Sequence, residues 1–338
     1  MRQYFLDPKG INVTFQILAL SGGGYRGLFT ASILAKLEDQ AKKPLSECFD
    51  LISGTSIGGV IALGLALGKS AESIRGMFID HGEEIFTRGE LPTSRPAKWK
   101  ARWSLWCRPK YDGTVLRSKI EAVVGPATRL GDARTRLLIP SVNMTKGSVQ
   151  MFKTAHHPNF INDHKLLAAD VAMATAAAPL YFPMAKVENS NFIDGGVVAN
   201  APDMCAVHEA VHFLGKDIEE ISVLSVGTTT SKFSLPSSLG RDFGQKLWLE
   251  NNRLVSTVLS SQQQLVDFML KHQLRDRYVR FDEQPSPEQT TDLGLDLATA
   301  NRRQTLIGMA DGCYQALSNN PRVIEMLSYQ RPQPTFHH

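Results

Sequence analysis

A chain of 338 residues, 43% hydrophobic and 21% charged, has the balance of an ordinary globular protein, which excludes fibrous or wholly disordered character. At this length about 75% of the unfolded surface can be buried, so neither a disulfide framework nor a structural metal is required. The net charge of +4 is too small to point to nucleic acid as a partner. The four cysteines, Cys48, Cys107, Cys205 and Cys313, are far apart with no CxxC pair, which argues against a zinc ribbon and fits a reducing compartment.

In chain order, the first signal is an apolar strand, Phe15 to Leu20, followed at once by a glycine run and a helical pattern through Leu28, Ile33, Leu34 and Leu37. A second strand, turn and helix unit follows, with Phe49 to Ser53 as strand, Gly54 to Gly59 as turn and an apolar helix to about Leu67. Residues 88 to 110 carry seven Arg or Lys against one acid, three prolines, and Trp99, Trp103 and Trp106. That texture suggests a cap insertion spanning about 82–114. Strands are predicted at Leu137 to Val142, Ser148 to Phe152 and Ile221 to Val226, with an Ala-rich helix over Leu166 to Ala177 between them. A long amphipathic helix is expected over 240–272, a surface loop from Asp282 to Asp292, and a last helix over Leu297 to Leu317.

The pattern predicts one α/β domain over 1–338, a three-layer sandwich with a mostly parallel central sheet, whose 230–338 part is helical and packs on the same domain. The N-terminus has no apolar signal core, and the longest apolar window, Ile57 to Leu67, is 11 residues, too short to span a bilayer. Membrane contact is therefore expected to be peripheral.

The segment Gly54-Thr55-Ser56-Ile57-Gly58 fits G-x-S-x-G between a strand and a helix. That context forces the serine into a strained turn with its hydroxyl projecting over the sheet, at a helix N-terminus where free N–H groups favour negative charge. The hydroxyl needs a base. No histidine stands where a late-chain catalytic histidine should: His208 and His212 are spaced i,i+4 on a helix without a third metal ligand in sight, and His272 lies in a polar helical stretch. Asp194, at the end of the run Phe192-Ile193 and followed by Gly195-Gly196, is the better candidate for taking the serine proton, although 138 residues away.

An acyl-transfer serine also needs donors for the tetrahedral oxyanion. The run Gly22-Gly23-Gly24 exposes backbone N–H groups, and Arg26 can add positive charge or order the loop. Gly22, Gly24 and Gly27 also spell the dinucleotide fingerprint G-x-G-x-x-G. The ribose-binding acid that fingerprint requires is missing, because Gly54-Thr55-Ser56 occupies its place.

Taken together, Ser21 to Gly27, Gly54 to Gly58 and Asp194-Gly195-Gly196 resemble the oxyanion loop, nucleophile elbow and aspartate motif of the patatin-like phospholipases, over about residues 15–230. The resemblance implies lipid acyl-ester hydrolysis by a Ser-Asp dyad, with Ser56 as nucleophile, Asp194 as base, Gly23, Gly24 and Arg26 at the oxyanion hole, and no metal or cofactor for the chemistry. Gly22, Gly27, Gly54, Gly58, Gly195 and Gly196 would support the motifs. Ser21 departs from the pattern, since many members open the glycine run with an acid.

The stretch Ala19 to Leu28 and the chain length are similar to the bacterial patatin-like effectors of cyclic-oligonucleotide antiphage (CBASS) signalling, the CapV/CapE group. That likeness implies a cyclic di- or trinucleotide activator, homo-oligomerisation on activation, and cytoplasmic action on phospholipids at the inner face of the cell membrane. An unregulated housekeeping or exported lipase, and a non-catalytic lipid- or nucleotide-binding scaffold, remain open. The tryptophan-rich segment fits a cap or oligomer contact, a bilayer or a nucleotide.

Overall fold

The computed structural model of the chain describes residues 15–86, 108–229, 232–286 and 298–337, with a few single positions between 288 and 296. The frame is an eight-stranded sheet: β1 Phe15–Leu20, β2 Leu51–Gly54, β3 Arg136–Asn143, β4 Ser148–Lys153, β5 Ala185–Val187, β6 Ser190–Asp194, β7 Ile221–Val226 and β8 Tyr278–Phe281. The strand order is β5-β6-β3-β2-β1-β7-β8, with β4 also paired to β3. Strands β3, β2, β1, β7 and β8 are parallel, whereas β4 and β6 run antiparallel to β3.

Around it lie α1 Gly27–Ala41, α2 Ile57–Ala66, α3 Ala71–Phe86, α4 Thr114–Val124, α5 Ala168–Ala176, α6 Asp203–His212, α7 Arg253–Leu274, α8 Ala300–Leu317 and α9 Pro321–Ser328. All six residues of β1 are buried, and they alternate between two cores as the two-residue period of a strand requires. Leu18 and Leu20 face α1 to α5, α8 and α9, whereas Phe15, Ile17 and Ala19 face α6 and α7. Two covered faces explain the continuous apolar strands read from the sequence, and the mixed sheet lies between helical layers.

Helix α2 is buried all round, so it depends on close neighbours. The Ala-rich α5 meets that need: a Cβ at Gly59 would sit 2.8 Å from Thr175 Cγ2. The C-terminal helices start at side-chain caps, with Thr299 accepting from Arg302 N–H, and Asn320 from Arg322 N–H ahead of Pro321.

Three expectations change. Helix α3 runs through Gly82 to a buried Phe86 whose ring packs at a tilt against Tyr25, so the insertion boundary expected at 82 falls inside a core helix. Trp99, Trp103 and Trp106 lie outside the described residues. The part from 230 onward is not purely helical, because Tyr278–Phe281 extends the sheet, and α7 begins at Arg253 instead of near 240.

Candidate active site

Strand β2 pairs with β3 only as far as Leu138. The same edge of β3 is then taken over by β6, which sets Asp194 opposite Ser141, while β4 occupies the other edge. Asp194 therefore faces the turn that leaves β2, where Ser56 sits. The Ser56 hydroxyl donates to Asp194 Oδ2 at 2.6 Å, bringing together two residues 138 positions apart.

The elbow has the strain its motif demands. Ser56 has φ 54° and ψ −127°, a conformation a non-glycine residue holds at a cost of about 1–3 kcal/mol. Its N–H donates to Thr175 Oγ1 at 3.0 Å, and its carbonyl accepts from Gly59 and Val60 N–H. The flanking glycines are needed for contact: a Cβ on Gly54 would come within 2.2 Å of Gly58 O, and one on Gly58 within 2.4 Å of Leu20 O. Thus β1, β2 and the first turn of α2 can touch only without side chains there.

Asp194 is 5% exposed, and Gly196 N–H donates to its Oδ1 at 2.6 Å. Burial pushes its pKa up to about 6, against the opposing pull of the Ser56 and Gly196 hydrogen bonds. Gly195 has ordinary helical φ of −63° and is required by proximity, since a Cβ would meet Pro140 O at 2.2 Å. A carboxylate with pKa about 6 is still ionised near neutrality, yet is a stronger base than a free aspartate.

The glycine run lies beside the dyad. Gly22 N–H is committed to Asn200 O at 2.9 Å, while Gly22 O accepts from Asn200 Nδ2 and Thr228 Oγ1. Gly23 and Gly24 line the cavity with Ser56 and Asp194, and Gly24 has a left-handed φ of 58°. Arg26 is placed behind this loop: its guanidinium donates to Gly23 O and Thr229 O. Those bonds fit loop ordering, one of the two roles expected for it. Burial lowers its pKa to about 10, so it stays charged at neutral pH. Gly27 lets α1 start against Ile57, whose side chain a Cβ would meet at 2.8 Å.

Asn200, Thr228 and a buried ion-pair network were not marked by any sequence pattern. Arg280 donates to Ser21 Oγ at 3.2 Å and to Asp282 Oδ2 at 2.8 Å, and Asp282 also accepts from Thr229 N–H and Gln263 Nε2. The serine that opens the glycine run is thus held by an arginine with its own carboxylate partner. From α7, Gln262 accepts from Asn200 N–H and donates to Val197 O. Helix α7 is therefore tied, through Asn200, to the glycine loop and to the turn after Asp194.

The dyad opens into a cavity of about 290 Å³ walled by apolar side chains, among them Phe86, Leu116, Phe182, Leu254 and Leu259. Such a slot suits an acyl chain, with reacting groups at its polar floor. Among the described residues no histidine lines it. His208 and His212 are exposed on α6 with rings 4.3 Å apart, and no third ligand joins them among the described residues. His272 Nδ1 is bonded to Phe268 O. Single alanine substitutions of these three histidines are expected to leave most acyl-ester hydrolysis intact, as initial rates on a soluble ester would show; a loss as deep as that of Ser56→Ala would move the base role to that histidine.

Comparison with known proteins gives the family. Residues 18–204 match the model of the family described as patatin-like phospholipase. The cGAMP-activated phospholipase of Pseudomonas aeruginosa (strain BWHPSA011 / Pa011) is 38% identical over 330 residues, covering 96% of this chain and 95% of that protein. A protein of the same name from Vibrio cholerae serotype O1 is 38% identical over 312 residues, covering 86% and 88%. Patatin-like protein 2 of Arabidopsis thaliana is 30% identical over 308 residues, covering 78% and 73%. With its mixed sheet, its serine elbow and this extent of similarity, the chain belongs to the patatin-like phospholipases, a family of lipid acyl hydrolases.

Proposed function

We propose that this protein is a cyclic-nucleotide-activated phospholipase in which Ser56 and Asp194 form the catalytic dyad. The observation that carries the chemistry is the 2.6 Å bond between Ser56 Oγ and Asp194 Oδ2 at the floor of an apolar cavity. Ser56 Oγ attacks the ester carbonyl carbon as its proton passes to Asp194. The N–H groups of Gly23 and Gly24, with the positive end of α2, stabilise the tetrahedral oxyanion. Collapse breaks the ester C–O bond, and Asp194 returns the proton to the departing alcohol oxygen. Water then attacks the acyl-serine, giving its proton to Asp194, and the free fatty acid leaves as Ser56 is re-protonated. No metal or cofactor enters these steps.

Regulation is supported by the relatives, which are named for activation by cGAMP over nearly the whole length shared with this chain. An unregulated phospholipase would attack its own cell membrane. The resting state is expected to hold either the loop of Gly23 and Gly24 or the cap segment around Trp103, which lies outside the described residues, out of productive geometry, since a displacement of about 1 Å can cost on the order of 100-fold in rate. A cyclic dinucleotide or trinucleotide bound away from Ser56, with homo-oligomerisation, would favour the active arrangement in antiphage defence at the cytoplasmic face of the membrane. Among the described residues no helix is long and apolar enough to cross a bilayer, in keeping with a peripheral encounter.

The test is a panel of cyclic di- and trinucleotides added to purified protein, with fatty acid release from phospholipid vesicles and light-scattering mass followed together. Stimulation by cGAMP with a rise in mass is expected. Full basal activity unchanged by every member would overturn the regulatory assignment.

A further inference from the structure

Helix α7 has two differently committed faces. Leu270 and Leu274 are fully buried and Gln263 reaches Asp282, which fixes the inner side. On the opposite side Leu254, Val258, Ser261, Leu265, Phe268 and His272 recur at steps of four and three residues, which forms a single stripe along the helix. Its large apolar members face solvent: Leu254 is 46%, Leu265 59% and Phe268 63% exposed. Single exposed apolar side chains are unremarkable, but Leu254, Val258, Leu265 and Phe268 on one face of one helix, interrupted only by Ser261, are not.

At its Leu254 end the stripe runs into the cavity mouth. Its first members, Leu254 and Val258, also line the cavity above Ser56, and so do Leu180 and Val197, which are themselves exposed. The mouth of the acyl cavity and the outer face of α7 therefore make one apolar surface. We propose that this surface is the bilayer-docking face of the protein, with α7 lying along the interface and the cavity mouth against the lipid. This rests on the phospholipase reading given above.

The choice of a lipid surface over a protein partner follows from the position of the mouth. A protein seated on Leu254 and Val258 would stopper the entrance that the substrate must use. A membrane placed there does the reverse: an acyl chain passes from bilayer to cavity without crossing water, avoiding a penalty that grows with every methylene exposed. A helix with an apolar outer row and a committed inner face is the shape that settles in the headgroup region. The inner-face bonds of Gln262 and Gln263 connect the docked helix to the loops holding Asp194 and Ser21.

The experiment uses the full chain carrying Ser56→Ala, so that vesicles survive, and measures co-sedimentation with phosphatidylethanolamine–phosphatidylglycerol vesicles with and without cGAMP. Adding Leu265→Ser and Phe268→Ser, neither of which lines the cavity, is expected to lower the partition constant on the order of tenfold or more. Ile324→Ser, at an exposed isoleucine of α9, is expected to leave it unchanged. In the active background, the paired change should spare hydrolysis of p-nitrophenyl butyrate while lowering release from vesicles, and an unchanged melting temperature shows that folding is intact. Vesicle binding equal to the parent's, or a parent that does not bind vesicles at all, overturns the proposal. A fall in light-scattering mass with vesicle binding unaltered overturns it in favour of a second copy as occupant. If no ester is hydrolysed by any variant, the enzymatic reading fails, and sedimentation still decides the docking face.

Discussion

Ser56→Ala protein is expected to release fatty acid from phospholipid vesicles at least about 10⁴-fold more slowly than the parent while remaining folded. The hydroxyl is the group of that side chain that reaches Asp194, and among the described residues lining the cavity there is no other serine, threonine or cysteine. Alanine keeps the Cβ, so the strained backbone at φ 54° is neither relieved nor worsened. What the fold loses is one hydrogen bond to a buried carboxylate, worth roughly 1.5–3 kcal/mol, so the melting temperature should fall by only a few degrees. Turnover by the folded variant within tenfold of the parent would remove Ser56 from the mechanism.

The contrast between what was legible in the sequence and what was not follows the range of the interactions. The serine elbow is a local object: strand, tight turn and helix are contiguous, and Gly54 and Gly58 touch within five residues. Asp194 was recognisable by type, but its approach depends on β6 taking over the edge of β3 that β2 leaves, a pairing between distant segments. The supports of the glycine loop are more remote still, with Asn200 and Gly22 178 positions apart, and Arg280 and Ser21 259 apart. No pattern in either segment announces the other. Strand β8 was hidden for a related reason, since its four residues include Arg280, a charge pointing into the protein where an apolar residue is the usual signal. The early start expected for α7 failed at Asn252, whose left-handed φ of 55° separates it from the short helical turns before it.

Asp194→Asn carries the other large effect, and its sign differs between rate and stability. The amide keeps the shape of the side chain but cannot accept the Ser56 proton, so acyl-ester hydrolysis should drop about 10²- to 10⁴-fold. In the parent, kcat/KM should fall below about pH 6, where burial has placed the Asp194 carboxyl, by roughly tenfold per pH unit; the residual rate of the variant should lack this limb. Stability moves the opposite way. An unfolded aspartate titrates near about 3.9, so the folded protein holds this proton more tightly, and the ionised carboxylate opposes folding above pH 6. That penalty fades as pH falls through 6 toward 4 and is gone below about pH 3, where both states are protonated. Asparagine has no charge to bury, so the variant should be more stable than the parent by on the order of 2 kcal/mol at pH 8, and the gain should shrink toward zero at pH 4. Urea unfolding of both proteins at pH 8 and pH 4.5 would measure it. A gain in stability at neutral pH joined to lost turnover is the signature of a charge kept in an unfavourable place for its basicity. Equal stabilities at both pH values would mean that the hydrogen bonds from Ser56 and Gly196 fully offset burial, and the acid limb of the rate profile would then have to lie near pH 4 instead of 6.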